Sequence, residues 1–211
     1  TRSDWGANES LRAQNFFQRV FKPKKSRWYA KEADAVEPKY RPVLKESRTA
    51  DGKALFWPIS ENPHIAKFIV HHTGEAINNR NRARRTPKAI MRAIYSYHTV
   101  TRVWGNIGYN YVIDKEGNIY EGRAGGPQAV GAHTAYHNVG SIGISLMGNF
   151  EYEKPTEAQI DVLSLLLADH ARRFDVDPMN RSRFLNANSY NISGHRDVAR
   201  IGHGTSCPGR H

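Results

Sequence analysis

The residues best equipped for chemistry fall in three places. His71 and His72 follow the apolar run Phe68-Ile69-Val70, His195 sits in Ser193-Gly194-His195-Arg196-Asp197, and Cys207 sits in Thr205-Ser206-Cys207-Pro208-Gly209. Two imidazoles and one thiolate make a good zinc set. A catalytic zinc takes three protein ligands and leaves the fourth position open to water, whereas a structural zinc usually closes all four. Cys207 is the single cysteine of the chain, which excludes a cysteine-rich structural site and any intramolecular disulfide. Each residue also has an ordinary reading. A histidine in or near a strand is commonly a hydrogen-bonded core or loop residue. His71 and His195 stand 124 positions apart (195 − 71), and no helical HExxH pattern joins two ligands. The same residues also admit a metal-free chemistry, with Cys207 as nucleophile and His195 as its base.

The elements that must position these groups can be read from pattern. Lys67 to Val70 reads as a buried strand opening into a loop at His71-His72-Thr73-Gly74, which sets the histidines at a strand end. Thr86-Pro87 supplies an N-cap and a first-turn proline, and Ile90, Ile94, Tyr97 and His98 follow at helical spacing. Tyr109 to Asp114, a turn at 115–118 and Ile119 to Gly122 predict a hairpin. Ser141 to Met147 reads as another core strand. Thr156 with Gln159 forms a capping box, and Ile160, Leu163, Leu167 and His170 continue one helical face to about Phe174. Interleaved strands and helices predict an α/β domain with a central sheet flanked by helices. Residues 192–211 lack an element pattern and read as a long functional loop. Residues 1–63 read as an irregular segment wrapped on the main domain at 64–211, because Trp5, Trp28 and Trp57 favour packing over exposure to water.

Hydrophobic residues make up 39% and charged residues 24% of the 211 residues, a balance suited to a folded domain rather than a disordered chain. Thirty-one Lys and Arg against twenty Asp and Glu give a formal charge of +11, which attracts polyanions. The basic residues gather at 22–45 and 78–92 without an aromatic-interleaved RNA motif or a zinc finger, so no nucleic-acid partner is expected. No apolar run approaches a membrane span, and no export signal is present in the sequence.

Seven pieces occur in a fixed order: Phe68-Ile-Val-His-His-Thr73, Gly105-Asn-Ile-Gly-Tyr-Asn-Tyr-Val-Ile-Asp114, Tyr120-Glu-Gly-Arg123, Val130-Gly-Ala-His133, Ser141-Ile-Gly-Ile-Ser145 with Gly148-Asn-Phe150, Gly194-His-Arg-Asp197 and Cys207-Pro-Gly209. Together they resemble the peptidoglycan recognition proteins and type 2 N-acetylmuramoyl-L-alanine amidases, from about Ala66 to Gly209. The opening Arg2-Ser-Asp-Trp-Gly-Ala-Asn8 resembles the start of bacterial members. The resemblance implies that family's fold, a mixed sheet flanked by helices, and one Zn²⁺ held by His71, His195 and Cys207. Neighbouring side chains on a strand face opposite ways, and the resemblance assigns the metal to His71 rather than His72. Tyr109 matches a tyrosine beside the metal, and Thr205 a position near it; both would stabilise an oxyanion. His133, His98 and Arg123 match positions lining or supporting the substrate groove.

The implied reaction is hydrolysis of the amide between N-acetylmuramic acid and L-alanine in peptidoglycan, by a monomeric, secreted enzyme at the cell wall or in the periplasm, with anionic wall polymers as a second partner. Two features depart from the family pattern. Eleven residues (196–206) separate His195 from Cys207, longer than the usual interval, which reads as an insertion at 199–204 with His203 in the bulge. Ser145 stands where one amidase branch has a glutamate, which leaves Tyr109 to fill that part. The rivals are a non-catalytic peptidoglycan-binding module, the cysteine hydrolase, and a basic polyanion binder.

Overall fold

A computed structural model describes residues 1–13, 37–74, 85–184, 187–199 and 204–211. Trp28, much of the two basic clusters and His203 lie outside the described residues. The centre is a five-stranded mixed sheet in the order β5-β4-β6-β3-β9, built from β3 (Lys67–His72), β4 (Tyr111–Ile113), β5 (Ile119–Glu121), β6 (Ser141–Leu146) and β9 (Ile192–Gly194). β3 runs parallel to both β6 and β9, β4 runs parallel to β6, and β5 closes the predicted hairpin antiparallel to β4. Parallel strands covered on both faces read as nearly unbroken buried runs, which is the burial pattern of β3 and β6.

Helix α2 (Glu157–Phe174) begins at the predicted capping box and covers one face through Leu163, Leu167 and Ala171. They pack on Phe68, Ile113, Ile142, Ile144 and Leu146. Helix α1 (Pro87–Ser96) starts from the Thr86 cap and covers the opposite face, where Met91 and Tyr95 meet Trp5, Ile107, Val112 and Met147. Strand alternation therefore sends Phe68 toward α2, and Lys67 and His71 toward the other face. On that same face β6 offers only Ser141, Gly143 and Ser145, in register with Lys67, Ile69 and His71. Three small residues in a row open a hollow above the middle of the sheet.

Two regions differ from the sequence expectation. Within residues 1–63, β1 (Val43–Arg48) and β2 (Ala54–Glu61) pair antiparallel. Two register irregularities in β1 break its alternation, and Pro58 within β2 weakens the strand signal. Trp5 is fully buried and donates to the Glu121 carbonyl at 2.8 Å, and Trp57 donates to the Val103 carbonyl at 3.0 Å. The stretch read as a C-terminal loop begins instead with edge strand β9 and one helical turn, α3 (His195–Val198). A three-residue strand carries too few positions for periodicity to register. A second antiparallel pair, β7 (Arg181–Phe184) and β8 (Ala187–Tyr190), leads into β9.

Candidate metal centre

Three short segments meet at the ends of β3 and β9. β3 delivers His71, the end of β9 delivers His195 at the start of α3, and the final turn brings Cys207 back against β3. The His72 amide donates to Cys207 Sγ at 3.4 Å, and the Arg196 amide to the Cys207 carbonyl at 2.8 Å. One ligand atom from each of His71, His195 and Cys207 falls in a group whose members all lie within 4.8 Å of one another. Cys207 Sγ stands 3.6 Å from His71 Nδ1. A sulfur about 2.3 Å and a nitrogen about 2.0 Å from one tetrahedral zinc would be about 3.5 Å apart, so this pair already has the spacing of two zinc ligands.

The alternation that left His71 and His72 undecided is resolved by their partners. His72 turns to the α2 face, where its Nδ1 accepts the Phe150 amide at 3.1 Å and its ring lies 6.0 Å from the Phe150 ring. His71, only 1% exposed, turns to the hollow over β6. Its ring centre lies 4.6 Å from that of His195, 5.1 Å from His133 and 5.2 Å from Tyr109.

Burial favours the neutral form of each of these three side chains. It drives the His71 imidazole well below its ordinary value, helped by His133 and His195, and brings His195 to about 4. It also pushes the Cys207 thiol up to about 11. Two imidazoles that resist protonation and a thiol that keeps its proton in the absence of a cation form a set suited to a metal, which deprotonates a thiol on binding. Burial, reinforced by Cys207, raises the Tyr109 phenol well above the usual tyrosine range. Its hydroxyl therefore stays protonated. The Ser145 hydroxyl pulls slightly the other way on that phenol but forms no hydrogen bond of good geometry.

The remaining predicted residues divide. Tyr109 and His98 line a pocket of about 250 Å³ together with Thr73, Arg85 and the Ile90, Ala93, Ile94 wall of α1. His98 sits in a π-turn (Tyr97–Thr101) that continues α1, a distortion frequent at functional sites. Its Nδ1 accepts the Gly108 amide at 3.0 Å, and its ring packs at a 40° tilt with its centre 4.6 Å from that of Trp104. Thr205 accepts the Cys207 amide on Oγ1 at 3.1 Å, which leaves its hydroxyl proton for another acceptor. Arg123 is buried, donates to the Ile107 carbonyl at 3.1 Å and is not among the pocket's lining residues. His133 is also buried, with its Nδ1 3.1 Å from His71 Nε2. Sequence reasoning gave no part to Ser141, Thr134 or Asn138, all of which bond to His133. The alternation of small residues at 141, 143 and 145 was the available signal.

The family model described as N-acetylmuramoyl-L-alanine amidase matches residues 61–210. The chain is 32% identical over 160 residues to peptidoglycan-recognition protein SC1a/b of Drosophila simulans, covering 76% of each. Among solved structures it is similar to the N-acetylmuramoyl-L-alanine amidase LysC of Clostridium intestinale, at 28% identity and TM-score 0.55, over 73% of this chain and 83% of that one. It is likewise similar to peptidoglycan recognition protein LE in complex with tracheal cytotoxin, a monomeric diaminopimelic acid-type peptidoglycan, at 27% identity and TM-score 0.55, over 80% and 84% of the two chains.

Proposed function

The chain belongs to the N-acetylmuramoyl-L-alanine amidase family that embraces the peptidoglycan recognition proteins, and from that membership we propose that it is a zinc-dependent amidase cleaving the bond between N-acetylmuramic acid and L-alanine. The observation that carries this reading is the convergence of His71, His195 and Cys207 within 4.8 Å of one another, with the His71–Cys207 pair at 3.6 Å, beside Tyr109 and a pocket. Recognition proteins that only bind have no need of a thiol and two imidazoles aimed at one point.

His71, His195 and Cys207 would hold the zinc, which supplies Lewis-acid polarisation of the amide carbonyl and acidifies a water to a pKa of about 7. The Tyr109 phenol, kept protonated by burial, donates to the oxygen on which negative charge develops. Thr205 adds its free hydroxyl proton from beside Cys207. The aliphatic side of α1 shields one flank of the reacting group from water, and His98, pinned by Gly108, shapes the pocket floor. We take residues 64–211 as the catalytic unit and residues 1–63 as a segment packed upon it. The enzyme would act as a monomer outside the cytoplasm, where its substrate lies, and its net charge of +11 would hold it on anionic wall polymers.

The test is hydrolysis of a soluble muramyl peptide by the purified protein, as prepared, after chelation and after zinc is restored, with Cys207→Ala alongside. Activity should disappear with the metal, return with zinc and be absent from the variant. Cleavage indifferent to chelation would replace this reading with the cysteine hydrolase, and binding without cleavage would replace it with a recognition module.

A further inference from the structure

We infer that His133 and Ser141 are positioning residues that fix the His71 imidazole in the tautomer whose bare nitrogen faces Cys207 and could bind a metal there. This inference rests on the metal-binding reading of His71, and its logic starts from a backbone carbonyl. Ser141 Oγ lies in close hydrogen-bond contact with the His137 carbonyl oxygen and 3.3 Å from that of Asn138. A carbonyl can only accept, so the single hydroxyl proton of Ser141 points there. Toward His133 Nε2, 3.4 Å away, Ser141 Oγ can then only accept. Nε2 must therefore carry the proton of His133, and its Nδ1 is a bare acceptor. That Nδ1 lies 3.2 Å from Thr134 Oγ1 and 3.1 Å from His71 Nε2; the hydroxyl can donate to it, but two bare imidazole nitrogens so close would repel each other, so His71 Nε2 carries a proton as well. Thr134 Oγ1, 3.5 Å from the same nitrogen, can accept a share of that N–H. His71 Nδ1 is left as an unprotonated lone pair, and it is the atom facing Cys207 Sγ.

The relay is held rigidly. The His133 ring lies between two glycines, and a Cβ at either Gly131 or Gly143 would come within 2.4 Å of it. The His133 and Thr134 amides both donate to Asn138 Oδ1, at 2.7 and 3.0 Å. With 6% exposure and no place in the pocket lining, His133 is shaped to orient His71 from behind. An imidazole that ligates a metal through one nitrogen has its orientation and basicity set by the partner of the other, and loss of such a partner costs about 10–100-fold in metal affinity.

The experiment uses the whole chain and zinc alone, without peptidoglycan. Long-range proton–nitrogen spectra of ¹⁵N-histidine protein at neutral pH, assigned with His71→Asn and His133→Asn, should show both histidines as Nε2–H tautomers before metal is added. In chelator competition, His133→Phe should bind zinc about 10–100-fold more weakly. His133→Asn, whose Oδ1 can stand where Nδ1 stood, should recover most of that loss, a rescue that general packing would not produce. Ser141→Ala should shift the His133 resonances toward the Nδ1–H form, and it decides the matter if His133→Phe does not fold. An Nδ1–H tautomer of His133 in the parent protein, or equal zinc affinity in His133→Phe, overturns the inference. A parent protein that takes up no zinc defeats the metal reading itself, and the inference falls with it. Loss of amidase activity with zinc uptake intact defeats only the proposed reaction.

Discussion

Strand β3 buries an ionisable side chain at each end of one face, and the two ends use it in opposite ways. At its start Lys67, with no exposed surface, points its ammonium at four oxygens: the carbonyls of Ser182, Ser189 and Tyr190 and the Ser182 hydroxyl, all between 2.8 and 3.2 Å. Its ammonium is fully engaged in tying the β7–β8 hairpin to the sheet. At the other end His71 keeps one nitrogen turned to Cys207 and His195. Burial is the same, but one end spends its hydrogen-bonding capacity on the fold and the other leaves lone pairs converging. A buried polar group is costly without partners, so leftover capacity of this kind marks a place where a partner arrives later.

The comparison predicts that substitutions at the two ends separate stability from chemistry. The largest effect is expected at the His71 end. Tyr109→Phe should lower kcat by about 10²–10³-fold, the usual cost of losing one donor to an oxyanion. Its zinc affinity and thermal midpoint should stay close to the parent's. A folded, zinc-loaded Tyr109→Phe protein with parental kcat would remove the phenol from the reaction.

At the other end the order should reverse. Lys67→Met leaves four oxygens facing a methyl group, and the loss of charge-assisted hydrogen bonds should lower stability by about 3 kcal/mol in denaturant unfolding. Lys67 lies four residues from His71, about 13 Å along the strand, beyond the roughly 10 Å within which substitutions usually couple. Zinc affinity of the folded fraction should therefore change by no more than about threefold. A large loss of zinc binding without a loss of stability would mean that the two ends are not independent.

These two ends were unequally legible in the sequence. His71, His195 and Cys207 stood out because their residue types are rare and their flanking motifs ordered, and α2 stood out because the capping box and the Leu163, Leu167 face agree with each other. Lys67 looked like an ordinary charged residue before a strand, because its partners are backbone carbonyls from the 182–190 region, which no side-chain pattern announces. The family resemblance alone marks His133 as a groove residue. What makes it a partner of His71 is the hollow left by Ser141 and Gly143, a property of register between β3 and β6 rather than of either strand alone. β9 escaped notice because its three residues become a strand only when β3 is there to pair with them.

The smallest predicted effect concerns pH. Burial, with Arg181 nearby, draws the Lys67 ammonium down from an ordinary 10.5 to about 8. Below pH 8 the folded and unfolded chains both hold the proton, and the fold bears the cost of a buried charge. Between pH 8 and 10.5 the unfolded chain still binds a proton that the folded chain releases, so this group's contribution to stability rises with pH across that window. The slope cannot exceed about 1.4 kcal/mol per pH unit, and the four oxygens, which favour the charged form, reduce it. Other lysines and tyrosines titrate in the same range, so the quantity to follow is the stability of the parent minus that of Lys67→Met, measured by urea unfolding at pH 8, 9 and 10. The difference should widen by about 1 kcal/mol over this interval. If it stays constant, the oxygens hold the ammonium at its ordinary value, and the start of β3 is an even more completely satisfied site than burial alone implies.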